Sequence, residues 1–248
     1  MIKLFRTIRQ KLLSENKFSK YLLYGVGEII LVVIGILIAL QVNNWNEKRK
    51  LNLESENIYA ALGSEFKNNK IVLKERIDFL VEANKNVEII LSCFNKKEAS
   101  FKSINMDSIF LQSLNYGNYN PANSTIQELI SSGKLNLIKD EALKQNLFNW
   151  LQILKDTNED FKNQDLQHQT QLAEYLLKSI SFKNMVQYSG TESSKTGESD
   201  LFNKKYERIF SDLEFENIYQ SKKYWNTEMI NHYKDLDALA SEIIRQTE

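Results

Sequence analysis

The sequence predicts an all-α protein: one N-terminal transmembrane helix followed by an antiparallel helical bundle of three long and two short helices. Three observations carry this reading. Residues 22–42, LLYGVGEIILVVIGILIALQV, form an apolar run whose single charged side chain is Glu28. At ~1.5 Å rise per residue such a run reaches ~30 Å, the hydrocarbon thickness of a bilayer. One proline and eight glycines among 248 residues suit long helices and not a β-sandwich. Beyond the apolar run, hydrophobic residues recur every three or four positions, the period of a helix with one buried face.

Three regions follow. Residues 1–20 read as a basic amphipathic tail, with Ile2, Phe5, Ile8, Leu12 and Leu13 near one face and Lys3, Arg6, Arg9 and Lys11 around them. Such a segment lies on the inner leaflet against anionic lipid. Residues 21–45 read as the span, and 46–248 as an extracytoplasmic helical bundle. A cleavable signal peptide wants small residues at its exit, whereas this run ends Ala39-Leu40-Gln41-Val42, so the segment reads as an uncleaved anchor. Six bases precede it (Lys3, Arg6, Arg9, Lys11, Lys17, Lys20) and three follow closely (Lys48, Arg49, Lys50). The excess places the N-terminus in the cytoplasm. Tyr21 and Tyr24 suit the inner interface and Trp45 the outer one.

Glu28 is the exception within the run. If the apolar core begins at Leu22, its carboxyl lies ~9 Å inside the boundary. There an acid is disfavoured by a few kcal/mol unless it is protonated, paired or snorkelling. Helical spacing puts Gly25, Glu28, Val32, Gly35 and Ala39 on one stripe, and its small residues would let another helix approach closely. One reading is an interface in which Glu28 bonds to a partner helix or a second copy. In the other, the core begins nearer Ile29 and Glu28 lies among the headgroups.

From Asn46 the helical pattern continues to about Phe94 through Leu51, Ile58, Leu62, Phe66, Leu73, Ile77, Leu80, Val87 and Leu91. No proline interrupts it, so the span is free to run on into this helix. Residues 95–105 break the pattern. Asp107 then caps a short helix through Leu114, stopped near Gly117. Ser124 with Gln127 makes a capping box for a second short helix, and Gly133 suits its end. Asp140 caps a long helix to about Phe182, with Leu143, Leu147, Leu151, Leu154, Phe161, His168, Leu172 and Leu176 on its stripe. Residues 189–200, SGTESSKTGESD, read as a mobile polar loop. Ser211 with Glu214 repeats the capping box before a last helix to about Arg245, whose apolar set includes Phe215, Tyr219, Met229, Tyr233, Leu236, Ala240 and Ile243. Three long helices with two short ones at a turn give an up-down-up bundle.

Little in the sequence points to chemistry. Net charge is zero, and with the basic tail set aside the remainder is mildly acidic, which argues against a nucleic-acid partner. Cys93 is the single cysteine, so no intramolecular disulfide forms, and an extracytoplasmic domain must rely on its apolar core. His168 and His232 lie near apolar stripes and read as core or boundary residues with one hydrogen bond each, not as metal ligands. No nucleophile, zinc-binding or phosphate-loop motif occurs, so neither an enzyme nor a cofactor is expected. Residues 120–140, NPANSTIQELISSGKLNLIKD, are dense in local signals. They read as a helical connection closing the bundle or as a recognition tip distal from the membrane.

The run KFSKYLLYGVGEIILVVIGILIALQVNNWNE resembles the N-terminal signature of a domain-of-unknown-function family of single-span Bacteroidota membrane proteins, and NSTIQELISSGKLNLIKD resembles its mid-chain segment. The resemblance implies a bacterial inner-membrane protein with a helical periplasmic domain, and it brings no activity, ligand or catalytic residue. The leading functional expectation is a non-enzymatic, membrane-anchored interaction or assembly subunit. Its partners would be the lipid bilayer and either a second copy or another membrane helix. The alternatives are a periplasmic ligand sensor signalling through a partner, and a proton-coupled stator-type accessory subunit using Glu28.

Overall fold

The computed structural model describes residues 18–191, 197–199, 201 and 206–248. Among them every regular element is helical. The amphipathic tail lies outside the described residues except at its last positions, and so does the middle of the 189–200 loop. The first helix, α1, runs Phe18–Leu91. Then come α2 (Met106–Ser113), α3 (Ser124–Ser131) and α4 (Glu141–Gln167). A π-helical turn, His168–Ala173, leads into α5 (Glu174–Ser179), and α6 (Phe182–Val186) precedes the long α7 (Leu213–Thr247). The chain divides into two units, Met1–Asn57 and Ile58–Glu248.

The described part of the first unit is α1 up to Asn57. Its apolar side chains from Leu22 to Val42 are exposed throughout, with Ile29 at 65 % and Leu31 at 68 %. In the second unit the same helix has a buried face. Leu62, Phe66, Leu73, Leu80, Val87 and Ile90 are fully covered, at the spacing the sequence predicts.

Two apolar clusters fill the second unit. One gathers Leu62, Phe66 and Leu73 of α1 with Leu143, Leu147 and Trp150 of α4 and Tyr233, Leu236 and Ile243 of α7. The other gathers Val87 and Phe94 with Phe110, Leu172, Phe210, Phe215 and Tyr219. Thus α1 and α4 both run from the first cluster to the second, and α7 runs back. Two ion pairs bear this out, Lys70 with Asp237 at 3.2 Å and Lys223 with Glu88 at 2.9 Å. The up-down-up order is therefore corrected: α4 is parallel to α1 in this unit, not antiparallel. The reason is that α2, α3 and the chain between them are the returning leg. They carry the chain from Phe110 in the second cluster to Ile126 and Leu129 in the first.

Several helix ends differ from expectation in instructive ways. α1 stops at Leu91, and in the turn that follows Asn95 takes a left-handed backbone (φ 57°), a conformation asparagine tolerates. Asn105, not Asp107, caps α2 by accepting from the Ser108 N–H at 3.2 Å; Asp107 is buried and accepts from the Tyr206 hydroxyl instead. The Ser124 capping box does not form. Glu65 of α1 takes its place, its Oε2 accepting from Ser124 Oγ (2.7 Å), Thr125 N (3.1 Å) and Thr125 Oγ1 (2.9 Å). Asp140 caps α4 as expected, accepting from the N–H groups of Ala142 and Leu143. Gly133 likewise has the left-handed backbone (φ 70°) that suits a helix end. Asp212, not Ser211, caps α7.

A side-chain amide of α1 grips the backbone of the returning leg. Asn69 Nδ2 donates to the Ala122 carbonyl at 2.7 Å, and Ala122 N–H donates to Asn69 Oδ1 at 2.9 Å. The neighbouring Tyr119 hydroxyl donates to the Asn69 carbonyl at 2.9 Å. Trp150 packs edge-on against Phe66 at 4.8 Å and donates its indole N–H to Asn123 at 2.9 Å. Asn69→Ala would strand both backbone groups of Ala122 and should cost about 2 kcal/mol. Trp150→Ala should cost ~3–5 kcal/mol through the cavity it leaves. Urea unfolding followed by circular dichroism reads both, and a Trp150→Ala loss under ~1 kcal/mol would contradict this account of the core.

Candidate functional site

The stripe proposed from the sequence lies in the first unit. Gly25 and Glu28 are partly exposed, and Val32, Gly35 and Ala39 are exposed. A Cβ built on Gly25 or Gly35 would meet nothing within 4 Å, so none of the other described residues packs on those positions. Glu28 and Tyr24 each have an interaction within the chain. Trp45 is 66 % exposed, with the Arg49 guanidinium 5.8 Å from its ring centre. Tyr21 lies on α1, but its side chain falls outside the described residues.

Residues 120–140 pack against Glu65, Asn69 and Trp150, at the Leu62 end of the second unit. They pack with the first apolar cluster, whereas Val87 and Phe94 belong to the second. Their polar signals are spent on bonds within the fold, which is the behaviour of a connection.

The two histidines do not meet. His232 Nε2 lies 3.0 Å from Asp160 Oδ2. His168 opens the π-helical turn and stacks on Tyr116, ring centres 4.0 Å apart. Among the described residues no group of three or more His, Cys, Asp or Glu is placed to hold a metal ion. Cys93 is buried in the second cluster.

Around His168, however, the fold assembles a polar cluster that the sequence reading passed over. Tyr116 is sandwiched between Phe161 and His168 and donates its hydroxyl to Asp165 at 2.7 Å. Lys222 of α7 sits with Nζ 5.5 Å from the Tyr116 ring centre, and its side chain is only 5 % exposed. Gln164 donates to Asn226 at 2.8 Å, both buried. His168, Lys222, Gln164 and Gln167 line a small, partly open cleft of about 10 Å³ together with Leu172 and Ile218. Two buried nitrogens, His168 Nε2 and Asn226 Nδ2, have no hydrogen-bond partner among the described residues.

Electrostatics follow from that burial. Desolvation pulls Lys222 down from 10.5 to about 7. Burial, and secondarily the charge of Lys222, lowers His168 to about 4. Burial, followed by the bond to Asp165, raises Tyr116 to about 12. A π-helical turn leaves the regular backbone ladder shifted by one residue, and such turns concentrate at functional sites. On the surface side lies an open groove of about 1410 Å³, whose walls include Gln167, Tyr175, Lys178, Arg208, Asp212 and Ile218. Gln167 and Ile218 belong to both groove and cleft, so the cluster adjoins the groove.

One sequence signal could have found this site. The apolar set of α7 skips from Tyr219 to Met229, and the positions that keep the stripe across the gap are Lys222 and Asn226. A lysine and an asparagine in core register announce a buried polar layer. Its partners on α4 come from a helix whose direction the sequence does not settle.

The lowered Lys222 gives a signed pH dependence. Between about pH 7 and 10.5 the unfolded chain holds the lysine proton and the folded chain does not, so stability rises with pH there and is lost as pH falls towards 7. Tyrosine ionisation intrudes above about pH 9.5. In low-salt buffer between those limits, wild type should gain about 1.4 kcal/mol per pH unit relative to Lys222→Met. Parallel pH–stability curves for the two proteins would refute the burial argument.

No curated protein and no solved structure matches the chain. A family model does match, over residues 28–155, which include most of the apolar run, α2, α3 and the first half of α4. That match takes in just over half of the sequence, and the chain therefore belongs to a family of unknown function, DUF6090.

Proposed function

We propose that the protein is a non-enzymatic, single-pass membrane-anchored interaction or assembly subunit of a bacterial inner membrane. The observation that carries the reading is the apolar run of α1. It has the length and composition of a span, and none of its most apolar window is buried by the other described residues. A water-soluble fold leaves no such length of helix uncovered. The excess of bases before the run supports a cytoplasmic N-terminus and a periplasmic second unit. The stripe of Gly25, Glu28, Val32, Gly35 and Ala39 is then the contact face for a second copy or another membrane helix.

Ligand sensing by the periplasmic unit is the second reading, and the polar groove along α5 and α7 favours it. The signal would pass to a partner through the same helix face.

Membrane placement is tested by alkaline extraction and by cysteine labelling in intact cells. The protein should stay in the membrane pellet. An impermeant maleimide should label Ser132→Cys, at an exposed position, and not Ser14→Cys, while buried Cys93 supplies little background. Labelling of Ser14→Cys alone would reverse the orientation, and release by alkali would remove the anchor. For the stripe, Gly35→Leu should abolish cross-linking to the partner helix while Leu37→Ala, off the stripe, leaves it intact. Equal cross-linking in both variants would sink the interface.

A further inference from the structure

We propose that Trp45, Lys48 and Arg49 of α1 bind the headgroup of an anionic glycerophospholipid where the apolar run leaves the bilayer. The inference rests on the membrane reading above, and all three residues lie in the first unit.

Position comes first. The apolar run ends at Val42, so the Trp45 backbone stands ~4.5 Å beyond it and the Arg49 backbone ~10 Å beyond. Headgroups occupy roughly 5–8 Å on each side of the hydrocarbon core. Helical side chains lean towards the N-terminus, which here means back towards the membrane. Arg49 does so, for its guanidinium lies 5.8 Å from the ring centre of Trp45, a residue one turn earlier. That contact holds the positive charge near the depth of the indole, in the headgroup layer and not out in water.

Charge comes second. Lys48 and Arg49 stand three and four positions after Trp45, so the three side chains share one face of the helix. All three are exposed, and neither base forms an ion pair with another described residue. Glu47 projects ~100° from Lys48 and ~160° from Arg49, on the side of the helix that carries Lys50. The next acid in register with the face is Glu56, ~10 Å beyond Arg49 and further from the bilayer. Two positive charges therefore remain uncompensated at headgroup depth. A phosphodiester accepts hydrogen bonds from both, and the indole N–H of Trp45 supplies another donor. A zwitterionic headgroup would bring its own ammonium against the same two cations, whereas phosphatidylglycerol brings only the negative charge. Repulsion thus selects the anionic lipid.

The test uses the full chain reconstituted into phosphatidylcholine vesicles. Its probe is phosphatidylglycerol or phosphatidylcholine brominated near the head of the acyl chains. Bromine quenches tryptophan only at short range, and the Trp45 signal is isolated by subtracting Trp45→Phe in each background. Half-maximal quenching should need several-fold less brominated phosphatidylglycerol than brominated phosphatidylcholine, since each base near the surface contributes roughly fivefold in affinity. In Lys48→Gln/Arg49→Gln the two lipids should quench alike, while Lys50→Gln keeps the preference. Equal quenching in wild type, a preference that survives the double substitution, or one lost equally in Lys50→Gln would overturn the proposal. So would loss of the preference on adding soluble glycerol phosphate at constant ionic strength, because the ligand would then be a free phosphate. Release of the chain from the vesicles by alkali would remove the membrane reading and this inference together. Retention with equal quenching removes this inference alone.

Discussion

The pairing of Asn69 with Ala122 is the interaction on which the second unit depends. A buried side-chain amide offers both donor and acceptor groups, and one of each is used on a single backbone position of the returning leg. Glu65, one turn earlier on α1, completes the attachment by capping α3. Because these contacts bring the chain back to the Leu62 end before α4 begins, α4 must run parallel to α1. That direction places His168 at the level of α7 where Lys222 emerges. Were the returning leg to close as a simple turn, α4 would run the other way and the polar cluster would not exist.

The two units deal with apolar surface in opposite ways. In Ile58–Glu248 the helices cover one another, and even the polar residues of the core are mostly bonded. In the described part of Met1–Asn57 a comparable density of leucine, isoleucine and valine is left open on every side of one helix. The same period of hydrophobicity cannot describe both. A helix that is apolar all round is made for a low-dielectric surround, and one that is apolar on a stripe is made for a neighbour.

Placing a lysine in the core has an energetic consequence that the fold retains. Desolvation disfavours the charged amine, and the orphaned nitrogens of His168 and Asn226 add to it. A methionine at 222 would pack the same stem without that penalty. A costly polar layer beside a π-helical turn, adjoining a surface groove, is a local departure from the packing logic of the rest of the unit. Such departures are where binding concentrates.

The sequence by itself determined the helical class, the apolar run and most helix positions, because these depend on local periodicity and composition. It also determined the Asp140 cap and the Gly133 helix end, since each uses atoms a few residues apart. Where a cap came from another helix, as Glu65 does for Ser124 and Thr125, local spacing pointed to the wrong partner. Only the tertiary structure decided the direction of α4, because the returning leg is two short helices that look like a turn until their burial is known. It alone decided the Tyr116–His168–Lys222 layer too. Those residues are about fifty positions apart along the chain, and no local pattern relates atoms that meet only when three separate segments pack together.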